Sequence, residues 1–282
     1  MMIYFTDSDI DRLIEDDLPA GDMTTFLLDL AGMNGSIALI ARNPMIACCT
    51  EEVVRLYKKV GLDVEYFVPS GTRMQPGEKL IEAKGDASAI HVIWRTGSAM
   101  IEFASGIAGR TDKLVNIARK ENPGISIAGT RKHPPFVKKM ALKALMAGGG
   151  VPHRTGLSDT VLIFREHLLF TGGYENLPLV ISSVKEKMKE RKIVVEAHSM
   201  EEALTAAEHG ADVVQMDKST PEIFTECAGR CRAINPRICM IAAGAINDTN
   251  AGVYAKAGAD VLVTSWMYHA PPADVRAEIL KG

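Results

Sequence analysis

Residues 193–217, IVVEAHSMEEALTAAEHGADVVQMD, contain one full turn of the pattern that organises the chain. Ile193-Val194-Val195-Glu196 is a short apolar run closed by a carboxylate. Ser199 and Glu202 give the start signal of a helix, because a serine side chain can accept from a free N–H of the first turn. Gly210 ends that helix. Val213–Asp217 is a second apolar run, again closed by a carboxylate. Short apolar runs separated by amphipathic helices read as parallel strands with helical crossovers.

The same texture extends outward in both directions. Candidate strands are Ile125–Ala128, Val161–Phe164, Ile193–Glu196, Val213–Asp217, Ile238–Ala243 and Val261–Thr264. Thr220-Pro221 opens one of the intervening helices, and Gly258 ends another. Six or seven such units in succession fit a closed or nearly closed barrel better than an open sheet. In such a barrel, chemistry sits where the strands end. Those ends are Thr130-Arg131-Lys132, Phe164, Glu196, Asp217, Ala243-Gly244-Ala245 and Thr264-Ser265. Two cations, two carboxylates and a small-residue loop are thus expected on one face.

The segment Gly129–His167 adds further basic residues around the triple glycine Gly148–Gly150. Residues 136–147 read as a helix, with Lys138, Lys139 and Lys143 on its wet face. The glycines end it and allow close backbone approach to a ligand. His153 and Arg154 follow at once. Arg131, Lys132, His153 and Arg154 lie at strand and loop ends, the placement expected for receiving an anion.

Upstream, Thr6-Asp7-Ser8-Asp9 caps a short helix, and Pro19–Asp22 is a turn. Ser36–Ala41 and Met45–Cys48 read as a strand pair split by Asn43-Pro44. Thr50 caps a helix that stops at Gly61, and Val64–Val68 and Lys79–Ala83 are further strands. Two helices follow, His91 to about Ala108 and about Arg110 to Glu121. Arg95 is a cation on the otherwise apolar face of the first.

The chain has 282 residues, 47% of them hydrophobic, and a formal charge of −3. That is material for one large α/β domain, or one domain and a smaller one. The charge argues against nucleic acid as a partner, and the local basic cluster suits a small anion. Cys48, Cys49, Cys227, Cys231 and Cys239 include no C-x-x-C pair and no zinc spacing. With no secretory signal and no long apolar run, a cytoplasmic protein without a membrane segment is expected.

Two carboxylates opposite several cations point to a magnesium-bound pyrophosphate. Magnesium takes one or two carboxylates together with phosphate oxygens and water. Glu196 and Asp217 are the candidate ligands. Arg131, Lys132 and Arg154 are candidates for phosphate or carboxylate oxygens. Loops 243–245 and 264–265 offer backbone N–H groups to a phosphate.

The motifs Thr130-Arg131-Lys132, Gly148-Gly149-Gly150 with His153-Arg154, Leu157-Ser158-Asp159 and Ser105-Gly106-Ile107-Ala108 resemble those of quinolinate phosphoribosyltransferase, the carboxylating nicotinate-nucleotide pyrophosphorylase. Arg95-Thr96, Glu196, Asp217 with Pro221-Glu222, and Gly21-Asp22-x-Thr24 fall in that family's order. The resemblance covers nearly the whole chain. It implies an N-terminal α/β sandwich domain over 1–108 and an incomplete, TIM-like α/β barrel over 109–269, with 270–282 free to pack on the first. It also implies a homodimer, or a hexamer of dimers, in which Arg95 reaches the neighbouring site. The implied reaction joins a pyridine carboxylate to phosphoribosyl pyrophosphate and releases pyrophosphate. Catalytic roles then fall to Arg95, Arg131, Lys132, His153, Arg154, Glu196 and Asp217. Substrate contacts fall to Thr130, Phe164, Ala243, Gly244, Ala245, Thr264 and Ser265.

The departures concern the acceptor half of the site. Phe164 stands where the family has lysine, Trp94 where it has glutamate, Ala243-Gly244-Ala245 where it has Ser-Gly-Gly, and Ser265 where it has glycine. With Lys132-His133-Pro134-Pro135, these resemble the ModD branch, named for molybdenum-transport operons. An acceptor other than quinolinate is expected. Two competing readings stand beside this one: a non-catalytic binder of a small anion or nucleotide, and a lyase using Lys132 as a Schiff base.

Overall fold

The structure is a computed structural model and describes residues 3–282. The chain forms two compact units. The first comprises the chain up to Asp112, His133–Gly149 and Met267–Gly282; the second comprises Lys113–Lys132 and Gly150–Trp266. Residues 133–149, which a single cut near residue 108 would assign to the barrel, thus belong to the first unit.

The first unit is built on a four-stranded antiparallel sheet of β1 (Asn34–Ala41), β3 (Asp63–Phe67), β5 (Lys79–Asp86) and β13 (Val275–Lys281). The order is β13-β1-β5-β3. β2 (Met45–Ile46) and β4 (Arg73–Met74) form a separate two-stranded ladder. The expected pairing of the strands on either side of Asn43-Pro44 is therefore corrected. Both edges of β1 are already bonded, to β13 and to β5, so no ladder edge remains for β2. The helices are α1 (Asp7–Asp17), α2 (Met23–Leu27), α3 (Thr50–Lys59), α4 (Ala87–Glu121), whose residues from Lys113 onward belong to the second unit, and α5 (Lys138–Ala147). The Thr6–Asp9 capping box forms as expected.

Two helix expectations are corrected. Residues 87–121 are one 35-residue helix, not two. An interior glycine such as Gly109 costs only about 1 kcal/mol relative to alanine, which packing outweighs. On α5, Lys138 is exposed, but Lys139 pairs with Asp9 at 2.5 Å. Lys143 lies between Glu51 at 2.8 Å and Glu52 at 2.5 Å, with 17% of its side chain exposed. These lysines are structural ion pairs of the first unit. The triple glycine also serves packing. A Cβ on Gly148 would stand 2.3 Å from the Ala108 carbonyl oxygen, so the bare backbone of Gly148 accommodates α4.

The second unit is a curled, seven-stranded parallel sheet: β6 (Ser126–Gly129), β7 (Val151–Pro152), β8 (Val161–Ile163), β9 (Ile193–Ala197), β10 (Val213–Asp217), β11 (Cys239–Ala243) and β12 (Val261–Thr264). The order is β7-β6-β12-β11-β10-β9-β8, so β7 and β8 are free edges and the barrel is incomplete. Helices α6 (Arg165–Leu169), α7 (Leu177–Lys187), α8 (Met200–Glu208), α9 (Pro221–Ile234) and α10 (Ala251–Lys256) complete the unit. Alternation along each strand sends every second side chain to the inner face. Ala128, Leu162, Val194, Val213, Ile241, Ala243 and Val263 form that inner core, with Phe164 packed against it. Cys227 and Cys231 are fully buried free thiols. Among the described residues, no helix is long and apolar enough to cross a membrane.

Candidate active site

Parallel strands bring all their carboxyl ends to one rim, and the second unit has a pocket there of about 750 Å³. Thr130, Arg131, Lys132, His153, Arg154, Phe164, Glu196, Asp217, Ala243, Gly244, Ala245, Thr264 and Ser265 all line it. Arg95 belongs to the first unit, where its guanidinium carbon lies 5.7 Å from the Trp94 ring centroid.

Each group is held by its strand exit. The Thr130 hydroxyl accepts from Lys132 N–H at 3.1 Å, a local turn that directs the two cations after β6. His153 N–H donates to the Gly129 carbonyl at 2.9 Å, which sets the 153–154 step beside that exit. Asp159 accepts from both the N–H and the hydroxyl of Thr155, at 2.6 and 2.7 Å. The Leu157-Ser158-Asp159 motif therefore shapes a loop. Thr264 is 6% exposed, and its hydroxyl donates to the Ile246 carbonyl at 2.7 Å. Its side chain is thus committed to pinning the loop after β11. Gly244 and Ala245 have φ of 87° and 55°, and Lys218 opposite them has 55°. A Cβ on Gly244 would stand 2.5 Å from Lys218 Cγ and 2.8 Å from Asp217 Oδ1, so only glycine fits between the two loops.

The electrostatics are uneven. Burial, aided by the Arg154 charge, pushes His153 down to about 4, so its imidazole is neutral at neutral pH. Burial and the Arg131 charge lower Arg154. Burial and the Asp217 charge raise Glu196 above the usual carboxylate range. His198 sits by both carboxylates, 3.4 Å from Glu196 Oε1 and 3.9 Å from Asp217 Oδ2. A positive charge near Glu196 would favour its ionised form. The two carboxylates therefore suit a divalent cation that brings its other ligands with it. Among the described residues, no three or more His, Cys, Asp or Glu side chains gather into a metal site.

Phe164 caps α6 immediately after β8. Its ring stacks on His167 at 5.6 Å and lies 6.0 Å from the Arg154 guanidinium carbon. The adjacent Arg165 pairs with Glu202 at 2.5 Å and does not line the pocket. Gln215, Lys218, Glu166, Asn247 and Trp266 also line it, although the strand-end pattern did not single them out. The signal for Gln215 was present: it is a polar residue on the inward phase of β10, between Val213 and Asp217.

A parallel α/β half-barrel that gathers cations and carboxylates on one rim has the arrangement of an α/β-barrel enzyme site. The model of the quinolinate phosphoribosyl transferase C-terminal domain matches residues 107–277, and that of its N-terminal domain matches 22–105. The chain belongs to the quinolinate phosphoribosyl transferase family. It is 38% identical over 259 residues to the Rhodobacter capsulatus protein named as a pyrophosphorylase, ModD, covering 91% of this chain and 98% of that one. Identity to a protein named nicotinate-nucleotide pyrophosphorylase in Methanothermobacter thermautotrophicus is 28%, over 96% of this chain and 97% of that one. The fold matches NadC from Streptococcus pyogenes with a TM-score of 0.89 at 20% identity, covering 100% of both chains. It matches the Francisella tularensis nicotinate-nucleotide pyrophosphorylase with a TM-score of 0.87 at 23% identity, covering 98% of both.

Proposed function

We propose that the protein transfers a phosphoribosyl group from phosphoribosyl pyrophosphate to a heteroaromatic carboxylate other than quinolinate, with release of pyrophosphate. The observation that carries this reading is the convergence of Arg131, Lys132, Arg154, Glu196 and Asp217 on one pocket of the family fold. Departure of pyrophosphate leaves positive charge on the sugar and adds negative charge to the leaving group. Arg131, Lys132 and Arg154 are placed to stabilise that leaving group. Glu196 and Asp217 would hold magnesium, which supplies further charge neutralisation on the pyrophosphate when bound. The backbone at 243–245 and 264–265 receives phosphate oxygens. The neutral His153 offers a hydrogen bond without adding a fourth charge. No protein nucleophile is required. The same reading extends to a role beside molybdenum transport, after whose operons the ModD branch is named.

Calorimetry with phosphoribosyl pyrophosphate, with and without magnesium, tests the metal and sugar half. Asp217→Ala is expected to lose at least about tenfold in magnesium-dependent affinity, one decade per about 1.4 kcal/mol. Equal affinity in variant and parent rejects this assignment.

The same reading makes the working protein a homodimer, or a hexamer of dimers, in which the partner supplies Arg95. Mixing inactive Arg95→Ala with inactive Asp217→Ala then restores part of the activity, because some hybrid sites carry neither lesion. Hybrids demonstrated by mass that stay inactive refute sharing. A cytoplasmic location belongs to the same reading.

A further inference from the structure

Gln215 is the buried polar group in the pocket with an unmet need. It is 5% exposed and occupies the inner face of β10, one layer below Asp217. Its register neighbours are Glu196 on β9 and Ile241 on β11. Gln215 Nε2 donates to Glu196 Oε2 at 2.7 Å. That bond sets the direction of the amide, because the reverse orientation would press its carbonyl oxygen against a carboxylate. The carbonyl oxygen, Oε1, is left buried without a hydrogen-bond partner among the described residues. Buried acceptors in native proteins are nearly always satisfied, by protein, ordered water or ligand.

The surroundings indicate which ligand would satisfy it. Leu162, Ala243, Val263 and the Phe164 ring supply the apolar part of the same pocket. A flat heteroaromatic ring suits that floor, with its carboxylate toward the cations at the strand exits. Phosphoribosyl pyrophosphate is rich in acceptors, and its sugar hydroxyls are its donors. In the phosphoribosyl-transfer reading those hydroxyls are turned toward Glu196, Asp217 and the magnesium they would hold. The donor for Gln215 then comes from the other substrate.

We infer that Gln215 is a specificity-determining residue, selecting a heteroaromatic carboxylate whose ring bears a neutral N–H, amino or hydroxyl donor. The inference rests on the phosphoribosyl-transfer reading and narrows its acceptor. Glu196 acts as the positioning group that turns the amide oxygen toward that donor. An acceptor lacking the donor leaves Oε1 unpaired, and sites built around a buried polar group reject such analogues strongly.

The test uses matched pairs: nicotinate against its ring-amino and ring-hydroxyl derivatives, each with phosphoribosyl pyrophosphate and magnesium. Pyrophosphate release and calorimetric binding are both read. The parent is expected to favour at least one donor-bearing derivative over nicotinate by about tenfold. Gln215→Met, which keeps length and removes the amide, is expected to collapse that ratio towards one while keeping affinity for phosphoribosyl pyrophosphate. A parent that binds nicotinate and every derivative equally, or binds none, overturns the inference. So does a variant that retains the preference. A variant that instead loses phosphoribosyl pyrophosphate affinity overturns it by assigning the amide to the phosphoribosyl half of the site, through a sugar hydroxyl or through Glu196. If Gln215→Met fails to fold, the parent's ratio in the binding measurement decides alone. Failure of the parent to bind phosphoribosyl pyrophosphate at all strikes the broader reading, whereas binding it without a donor preference strikes this one only.

Discussion

Gly106→Ala is expected to cost the first unit at least about 3 kcal/mol, the upper part of the range for overpacking a tight contact. A Cβ at Gly106 would lie 2.3 Å from the Pro271 carbonyl oxygen and 3.3 Å from Pro272 Cα. Both obstacles are backbone, so no rotamer change can relieve them. The 271–273 segment cannot retreat easily either. Ala273 N–H donates to the Glu102 carbonyl at 2.8 Å, and β13, which follows, is laddered along β1. Three kilocalories is a large share of the roughly 5–15 kcal/mol that holds a typical protein folded. Gly109 is the internal control. It lies one turn further along α4 with nothing within 4 Å of its Cβ position. Gly109→Ala is therefore expected to stabilise, by up to about 1 kcal/mol of helix propensity. Denaturant unfolding of the two variants should move the midpoint in opposite directions. A Gly106→Ala midpoint at or above that of the parent would show that this contact does not constrain the fold.

The same motif shows where sequence reading succeeded and where it stopped. Ser105-Gly106-Ile107-Ala108 pointed to the family, yet its role is packing. Ser105 Oγ accepts from Cys48 N–H at 3.0 Å, Gly106 makes room for Pro271, and Ile107 and Ala108 are buried. Strands with strong local signals were legible. The runs 193–196, 213–217 and 261–264 match β9, β10 and β12 within a residue, because each is a continuous apolar run buried on both faces. Their terminal residues, read as the site, do line one pocket. β13 was not legible. Val275–Lys281 carries charges at Arg276, Glu278 and Lys281 and becomes a strand by pairing with β1, far away in sequence. Lys143 was misread because a helix-surface lysine looks the same whether it faces water or Glu51 and Glu52. Gln215 was missed because the strand ends drew attention to Asp217. Its importance lies in an unpartnered oxygen, which no spacing rule reveals.

Quinolinate is expected to be a poor substrate, and Phe164→Lys to raise its turnover by about one to two powers of ten. Quinolinate brings two carboxylates, and the pocket at Phe164 offers one of them a phenyl ring. A hydrogen bond to a charged group contributes roughly 1.5–3 kcal/mol. At about 1.4 kcal/mol per decade, its absence weakens a dicarboxylate by one to two decades. Burying the second carboxylate against the ring adds a desolvation cost. The cation next in sequence does not take over the lysine's task. Arg165 is the adjacent cation, but it is bound to Glu202 and absent from the lining. Phe164 is also more than core filler, since it forms the pocket wall and carries Arg154 over its face at 6.0 Å. That proximity limits the gain. A lysine at 164 would stand near the Arg154 charge, and the repulsion places the rise in kcat/KM for quinolinate nearer the tenfold end. An acceptor with one carboxylate and a larger apolar face should respond the other way. Burying its ring against Phe164 contributes up to about 1.5–3 kcal/mol, which the substitution removes. The decisive measurement is kcat/KM for quinolinate and for a monocarboxylate in parent and variant. A crossing of the two preferences is the expected result. A parent that already uses quinolinate best among the acceptors offered contradicts this account of the pocket.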